Sequence, residues 1–278
     1  MRLKIVLLTL MVTVVATPAF ATWSVVALDR KTGSLVIASA TCVTGQGLAT
    51  RGGLKGIQAV VVPGKGIAAA QANVDSTRAN QMLIFSELQK GTSPADILTM
   101  LKADPRIEGR QFGILDLQGR TAGFSGATNG ATSLDVQGQV AGTEIFYSIQ
   151  GNILTNAAVV NEAVKAFVAN TGVLTDRVMA AMEVADTNGG DSRCSCARGP
   201  QTAATAACET RTAYVAYILR AENGDKIGES HSDGQYAMFI DVTDANILPT
   251  ENANPVKTLR LRYDAYMKTQ GKRSGRER

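Results

Sequence analysis

The sequence is poor in the residues on which many catalytic and metal sites depend. Its 278 residues contain a single histidine, His231, and aromatic residues make up only 5% of the chain. One histidine excludes a histidine-based catalytic triad and a metal site built from several histidines. No serine stands in a GxSxG motif, and residues 45–47 (Gly-Gln-Gly) lack the GxGxxG spacing of a phosphate-binding loop. These absences argue against serine hydrolases of that type and against dinucleotide-binding enzymes.

Only one stretch of the chain is long and apolar, and it lies at the start. Residues 5–15 form an almost continuous apolar run after a positively charged beginning, and residues 19–21 (Ala-Phe-Ala) follow it. This order is typical of a secretory signal peptide, and the run is shorter than the ~20 apolar residues that a membrane span needs. The sequence predicts a signal peptide at residues 1–21, removed to leave Thr22 as the N-terminus. The mature protein is expected in the bacterial periplasm or outside the cell, without a transmembrane anchor.

The charge of the chain is weakly positive, with a basic end. The formal net charge is +4, and basic residues are concentrated in residues 269–278. That segment lacks an apolar pattern, which predicts a disordered tail after a single domain at residues 22–268. No aromatic or fold-level motif accompanies these basic residues, so no nucleic-acid partner is expected. A structural role at the cell envelope, mediated by the tail, is an alternative with less support.

Four cysteines remain after the predicted signal peptide: Cys42, Cys194, Cys196 and Cys208. In an oxidising compartment cysteines form disulfides by default. Cys194 and Cys196 are too close in sequence to bridge each other easily, so Cys42 and Cys208 are the favoured partners, with the connectivity open. A zinc site is the weaker interpretation, because the spacing is poor and His231 is remote in sequence. Neither a metal nor a cofactor is predicted.

The order of apolar and turn residues predicts an α+β domain. Consecutive apolar and β-branched residues predict strands at 23–28, 34–40, 57–62, 66–72, 111–115, 120–125, 144–150, 212–219 and 237–242. Helical periodicity and capping residues predict a helix from a cap at Asp75 or Ser76 to Gly91, and helices at 94–101, 157–170, 175–185 and 255–268. Residues 126–142 and 188–207 are predicted to be loops. One domain with two sheets between layers of helices accounts for this order.

Four sequence blocks occur in the order found in a known family. They are residues 22–27 (Thr-Trp-Ser-Val-Val-Ala), 110–116 (Arg-Gln-Phe-Gly-Ile-Leu-Asp), 150–154 (Gln-Gly-Asn-Ile-Leu) and 189–193 (Gly-Gly-Asp-Ser-Arg). Together they resemble an uncharacterised bacterial family, catalogued as a domain of unknown function, in the N-terminal-nucleophile (Ntn) hydrolase superfamily. The resemblance implies a four-layer αββα sandwich of Ntn-hydrolase type, and it implies no particular substrate.

Thr22 is the candidate nucleophile. A hydroxyl is a poor nucleophile unless a base removes its proton, and an N-terminal threonine carries that base as its own α-amine. A typical α-amine has a pKa of about 7.7–8.0, so part of it is neutral near pH 7. The alternative is that Thr22 merely follows a signal-peptidase site and starts a strand. The resemblance begins at Thr22 and therefore favours the catalytic interpretation.

Asn152 is the candidate that would stabilise the oxyanion. It follows a glycine at the end of a strand, where its side-chain amide could donate to the oxygen of a tetrahedral intermediate. A turn hydrogen bond explains Asn152 equally well. Gln71 and Asn73, at the end of another strand, are competitors for which the local explanation is favoured.

Three more residues are candidates for a supporting role: Ser39, Asp191 and Arg193. Proteasome-type members of the superfamily place an aspartate and a lysine near the threonine. Here Ser39 stands roughly where that aspartate would be, and Lys55 falls only near the position of the lysine. Asp191 and Arg193 could orient the amine or a substrate carboxylate, or they could form a salt bridge that anchors the loop.

These observations predict an exported amidohydrolase that cleaves an amide C–N bond. Its substrate would be a small amide or a peptide, and the acyl-enzyme would form on Thr22. The alternative is a binding protein without catalytic activity on the same fold, because a fold does not determine a function. Ntn hydrolases often assemble into homo-oligomers, so self-association is a further expectation from the resemblance.

Overall fold

The computed structural model describes residues 22–74 and 76–276, with side chains described as far as residue 270. The predicted signal peptide at residues 1–21 and its cleavage site therefore fall outside or at the edge of the described residues. The predicted α+β class is confirmed, because the described residues form two antiparallel sheets together with α-helices.

The larger sheet has six strands with the N-terminal hairpin at its centre. In spatial order they are β10 (Met238–Thr243), β9 (Val215–Ala221), β2 (Ser34–Thr41), β1 (Thr22–Asp29), β8 (Ile145–Asn152) and β7 (Leu134–Gln139). The predicted pairing of the first two strands is confirmed, and their register runs from Thr22 opposite Thr41 to Asp29 opposite Ser34. Central strands are covered on both faces, which explains why β1 is apolar at consecutive positions.

The smaller sheet has four strands. In spatial order they are β3 (Ala59–Val62), β4 (Gly66–Ala72), β5 (Arg110–Asp116) and β6 (Thr121–Ser125). Val26 and Leu28 of the larger sheet share one buried cluster with Ile67 and Leu115 of the smaller sheet. The two sheets therefore face each other across a common apolar layer.

Helices cover the outer faces of both sheets. The larger sheet is covered by α5 (Ala158–Ala169), α6 (Leu174–Thr187) and α7 (Pro255–Arg276), whose apolar side chains form one cluster with it. The smaller sheet is covered by α3 (Ala79–Lys90) and α4 (Pro94–Leu101). Three shorter elements lie between strands: α1 (Gly45–Ala49), α2 (Gly53–Gln58) and the 3-10 helix Ile107–Gly109. Within the described residues, no helix combines the length and the apolar character needed to cross a membrane.

Capping residues set the ends of the helices over the smaller sheet. The Ser93 hydroxyl accepts a hydrogen bond from the Asp96 amide at 3.2 Å, and Pro94 occupies the first turn, so α4 begins as predicted. Gly91 ends α3 with a φ of 81°, a conformation that glycine adopts without strain. The prediction of a cap at residue 75 or 76 is wrong, because α3 begins after Arg78, whose φ is 62°.

Three more predicted segments differ from the structure, and the strand predicted at 212–219 also begins late, at Val215. The strand predicted at 57–62 begins only at Ala59, because the preceding residues form α2. The loop predicted at 126–142 contains β7, an edge strand whose polar sequence gives little signal because β8 supplies its hydrogen bonds. The helix predicted to end at 268 continues to Arg276, so residues 269–276 of the predicted disordered tail are helical. The first turns of this helix pack on the larger sheet through Val256, Leu259 and Tyr263, and a helix that has formed propagates at little cost.

Candidate active site

Thr22 opens β1 at the centre of the larger sheet. Its backbone pairs with Thr41 of β2 on one side and with Asn152 of β8 on the other, and the residue is 1% exposed. Its side chain shares a face with Val26 of the inter-sheet core, because side chains two and four residues apart along a strand point the same way. The Thr22 hydroxyl donates to the Thr41 hydroxyl oxygen at 3.3 Å. The candidate nucleophile is thus directed between the two sheets.

Three buried amide side chains are linked by hydrogen bonds, and two of them hold the backbone of Thr22. We call them the amide cluster: Gln71 of β4, Gln111 of β5 and Asn152 of β8, each at most 2% exposed. The Gln111 Oε1 accepts from Gln71 Nε2 at 2.7 Å and from Asn152 Nδ2 at 3.1 Å. The same two nitrogens donate to the Thr22 carbonyl oxygen at 3.0 Å and 3.4 Å. Because Gln71 and Gln111 belong to the smaller sheet, the cluster fixes Thr22 relative to both sheets.

Sequence reasoning found only part of this cluster. Gln71 was assigned to local turn bonding, and neither Gln111 nor Thr41 was singled out. The available signal was the position of the glutamines, since Gln71, Gln111 and Gln150 each interrupt an apolar strand close to one end. A glutamine in a strand that is otherwise buried needs a hydrogen-bonding partner inside the protein.

Two residues with unusual backbone conformations flank the cluster. Ala72 has a φ of 72° and Ile153 a φ of 50°, and they directly follow Gln71 and Asn152. Such conformations cost non-glycine residues about 1–3 kcal/mol each and persist where the surrounding structure imposes them. Strain of this kind concentrates at functional sites, so its presence on both sheets beside Thr22 supports this end of the sheets as the site.

Asp191 lies between the ends of the two strands that flank β1. It is 1% exposed, and its Oδ2 accepts from the Cys42 amide at 3.1 Å, where Cys42 directly follows β2. The neighbouring Ser192 amide donates to the carbonyl of Ile153, which directly follows β8, at 3.2 Å. The Asp191 carboxylate therefore lies at the N-terminal end of β1, next to the backbone nitrogen side of Thr22. This position suits a group that would orient the Thr22 α-amine.

Arg193 pairs with the same carboxylate. Its Nη2 lies 2.8 Å from Asp191 Oδ2, and its Nε donates to Oδ1 at 3.1 Å. A two-pronged contact of this kind fixes the carboxylate geometrically. The structure thus brings Asp191 and Arg193 together, as the salt-bridge interpretation predicted. That interpretation and a role in orienting the amine are compatible.

Gly190 gives the Asp191 segment its close approach to β1. Its φ is 47°, and a Cβ at this position would lie 2.6 Å from the Trp23 ring. The Asp191 amide then donates to the carbonyl of Thr212 at 3.4 Å. Only glycine lets the backbone pass over the indole at this distance, which gives a physical reason for the Gly-Gly-Asp sequence.

Disulfides secure the same region. Cys42 is bonded to Cys194 and Cys196 to Cys208, and the described residues contain no free cysteine. The prediction that Cys42 and Cys208 supply the partners is confirmed. The Cys42–Cys194 bond ties the end of β2 to the Asp191 segment, so it maintains the carboxylate beside the start of β1.

The described contacts do not bring Ser39, a predicted supporting residue, to Thr22, and the same holds for Lys55, which the sequence placed only near the lysine position. Ser39 pairs with Ser24, deeper in the sheet, and its hydroxyl donates to the Trp23 carbonyl at 2.6 Å. Lys55 belongs to α2 and lies 4.8 Å from the centre of the Phe239 ring. Ser39 is held by the backbone because a buried hydroxyl without an acceptor is unfavourable. Within the described part of the chain, no three side chains are grouped in a way that could hold a metal ion.

A cleft of about 740 Å³ lies on the same face of the larger sheet as Thr22. Its floor includes Val215, which pairs with Thr41, which in turn pairs with Thr22. Neighbouring strands are about 4.8 Å apart, so Val215 is about 10 Å from Thr22 along this row. Lys55 lines the cleft, and burial lowers the pKa of its ammonium, while the carboxylates of Asp233 and Asp241 oppose this shift.

Gly126→Ala is expected to destabilise the loop whose Asn129 carbonyl accepts from the amide of Ile153, the residue after Asn152. A Cβ at Gly126 would overlap the backbone of Glu108, which cannot move aside as a flexible side chain can. Overpacking of this kind costs about 2 kcal/mol, which lowers Tm by about 4–8 °C in a domain of this size. Gly224→Ala is the matched control, because nothing lies within 4 Å of a Cβ there. Thermal unfolding of the two variants measures the difference, and equal melting temperatures would contradict the prediction.

Comparison with known proteins places the chain in a family. Among solved structures, it is similar to the crystal structure of protein SPO2555 from Silicibacter pomeroyi, with 20% identity, a TM-score of 0.62 and 88% of each chain covered. That protein is described as a member of DUF1028, and a likeness at this level of identity shows the fold alone. A comparison with curated proteins finds no match. A family model matches residues 22–227, beginning at Thr22. The chain therefore belongs to the family of unknown function DUF1028.

Proposed function

We propose that the protein is an exported amidohydrolase of Ntn type, with Thr22 as its nucleophile. The observation that carries this proposal is the placement of Thr22 at the start of the central strand. Its hydroxyl faces the space between the sheets, its carbonyl is held by the amide cluster, and Asp191 lies beside the point where the chain enters it. In this proposal the two facing sheets and their covering helices are the αββα sandwich of the superfamily.

The first half of the reaction forms an acyl-enzyme. Removal of residues 1–21 converts the amide nitrogen of Thr22 into an amine. The neutral amine takes the proton from the Thr22 hydroxyl as its Oγ bonds to the substrate carbonyl carbon. The tetrahedral intermediate then breaks its C–N bond, and the leaving amine receives the proton that the α-ammonium holds. The product is an ester between the acyl group and Thr22.

The second half releases the acid. The α-amine, neutral again, takes a proton from a water molecule whose oxygen attacks the ester carbon. The C–O bond to Thr22 breaks, the carboxylic acid departs, and the proton returns to the Thr22 oxygen. Asp191 stabilises the ammonium form of the amine through each cycle, and Arg193 keeps the carboxylate in place.

Asn152 is the proposed oxyanion donor, and this role requires its side-chain amide to exchange one hydrogen bond when the substrate binds. In the structure its Nδ2 donates to Gln111 and to the Thr22 carbonyl, and its Oδ1 is buried without a described partner. To stabilise the intermediate, the amide must redirect one N–H toward the new oxygen as the substrate binds. The 3.4 Å bond to the Thr22 carbonyl is the longer of the two and is the one that would be exchanged.

Two disulfides support the export part of the proposal. Disulfides persist in oxidising compartments such as the periplasm and the cell exterior, and are rare in the bacterial cytosol. The family match beginning at Thr22 supports a boundary at that residue.

Labelling of the mature N-terminus tests the proposal. We expect exported protein to begin at Thr22, and a β-lactone to add to it once. The Thr22 oxygen bonds to the lactone carbonyl, the ring C–O bond breaks, and the ring oxygen takes the hydroxyl proton, so the mass rises by one whole lactone. Peptide mapping should place this addition on Thr22. A different N-terminus, or an adduct on another residue, would falsify the mechanism.

The second candidate is a binding protein without catalysis, and the cleft beside Val215 favours it. A cleft of about 740 Å³ is large enough for a small molecule whether or not Thr22 reacts. Specific ligand binding by a protein that no threonine-directed electrophile labels would support this candidate.

A further inference from the structure

The cleft is built from two short helices and the edge of the larger sheet. Leu48 of α1 and Leu54 of α2 form one wall, while Tyr217 of β9 and Phe239 of β10 belong to the opposite side. Phe239 faces the cleft because it pairs with Leu219, an inter-sheet core residue. It is nevertheless 44% exposed. A large apolar side chain left open in a concave site of this size is typical of a small-molecule pocket.

Lys55 is the only lysine or arginine among the residues that line this cleft. Its ammonium lies 4.8 Å from the centre of the Phe239 ring and 5.7 Å from that of Tyr236. No ion pair among the described residues includes Lys55, although the side chain is half-buried. The carboxylates of Asp233 and Asp241 act on this ammonium from beyond ion-pair distance. A half-buried cation that contacts aromatic rings and forms no ion pair can gain a charge-assisted hydrogen bond from an anionic ligand.

Two carboxylates also line the cleft and limit the charge of its ligand. Asp244 is engaged with the fold, since its Oδ1 accepts from the Gly45 amide at 2.6 Å. Asp241 is exposed on β10, on the same face of the strand as Phe239. These negative charges repel a ligand with several anionic groups, so one anionic group is favoured.

We propose that this cleft binds an organic monoanion, with an apolar body against Phe239 and its carboxylate on Lys55. Binding of such an anion in the cleft does not depend on catalysis by Thr22. As a statement about the substrate, the proposal rests on the proposed function, and it then specifies an amide whose acyl or amine part carries a free carboxylate. The row from Val215 through Thr41 to Thr22 connects the cleft with the nucleophile.

A matched pair of fluorescent probes tests the charge recognition in the purified full chain. 8-Anilinonaphthalene-1-sulfonate carries an aromatic body and a sulfonate that stands in for the carboxylate, and N-phenyl-1-naphthylamine is its neutral analogue. Lys55→Met should weaken sulfonate binding about tenfold, the value of one charge-assisted hydrogen bond, and leave the neutral probe within about twofold. Lys102→Met, on the helix layer over the smaller sheet, is the control and should change neither. Equal sulfonate affinity for wild type and Lys55→Met would overturn the proposal.

Further variants distinguish the expected result from a folding defect and from binding of the probes at another site. Phe239→Ala should weaken both probes, and unchanged binding would show that the cleft is not their site. Asp241→Asn should strengthen sulfonate binding about twofold by removing a repulsive charge. Displacement of the sulfonate by 4-phenylbutyrate, and not by 4-phenylbutyramide, should identify the carboxylate as the recognised group; displacement by both would count against it.

The test separates this proposal from the proposed function. Thr22→Ala should bind the sulfonate as tightly as wild type, because Thr22 lies two strands away from the cleft floor. Loss of labelling at Thr22 with intact probe binding would therefore refute catalysis alone. Intact labelling, together with a Lys55→Met substitution that changes the affinities for the two probes by the same factor, would refute the ligand assignment alone.

Discussion

Thr22→Ala is expected to slow β-lactone labelling by about 10³-fold or more, because it removes the attacking oxygen. Folding should survive, since the side-chain hydrogen bond to Thr41 that the variant loses is worth about 1 kcal/mol. Thr22→Ser keeps both the hydroxyl and the amine and should retain measurable labelling. Thr32→Ala is the matched control, because Thr32 lies exposed in the turn between β1 and β2. Labelling rates followed by mass spectrometry make the comparison.

Insertion of one glycine between Ala21 and Thr22 tests the base separately from the nucleophile. Cleavage after Ala21 then leaves Thr22 as the second residue, with its nitrogen in an amide. An amide does not act as a base near neutral pH, so this variant should label as slowly as Thr22→Ala. Labelling at the wild-type rate would mean that the N-terminus is not the catalyst, and the binding-protein candidate would then take its place.

Replacing Cys42 and Cys194 by alanine is expected to lower the free energy of unfolding by about 5 kcal/mol. In the chain-entropy account, a disulfide stabilises more when it closes a longer loop. These two cysteines are 152 residues apart, whereas Cys196 and Cys208 are separated by 12. The matched replacement of Cys196 and Cys208 should cost about 3 kcal/mol. Urea unfolding of both double variants provides the measurement, and equal losses would show that loop closure does not set the stabilisation by these bonds.

The Cys42–Cys194 replacement should also affect the site. Cys42 donates its amide to Asp191, and Cys194 stands one residue after Arg193. Without the covalent link, the carboxylate is held to β2 by hydrogen bonds alone. We therefore expect slower labelling of Thr22 in this variant than in the Cys196–Cys208 variant at a temperature where both are folded.

Local signals predicted those parts of the fold that local interactions determine. The Ser93–Pro94 start of α4 and the glycine at the end of α3 were identifiable because caps act within one helical turn. The pairing of β1 with β2 was identifiable because a short turn joins them. β7 was missed because its polar sequence does not differ from that of a loop, and only its pairing with β8 makes it a strand.

The resemblance to the family indicated individual residues of the candidate site. The contacts between the two sheets could not be predicted from the sequence. Thr22, Asn152, Asp191 and Arg193 lie around one strand end, although their roles remain predictions. The bonds from Gln71 to Thr22 join residues 49 positions apart, and no local pattern indicates such a partner. The position of Ser39 was inferred from strand order alone, which gives no information on its backbone acceptor.

The amide cluster has a consequence for the proposed reactivity of Thr22. Its hydrogen bonds connect strands of both sheets to the Thr22 carbonyl, so the geometry at Thr22 depends on how the two sheets are placed relative to each other. Any opening that slides one sheet over the other breaks these bonds while each sheet keeps its own ladder of backbone bonds. Local openings of this kind require less free energy than global unfolding. Heat or denaturant should therefore abolish labelling of the proposed nucleophile before the secondary structure melts, so that a partly loosened molecule keeps its circular dichroism spectrum and no longer reacts with the lactone.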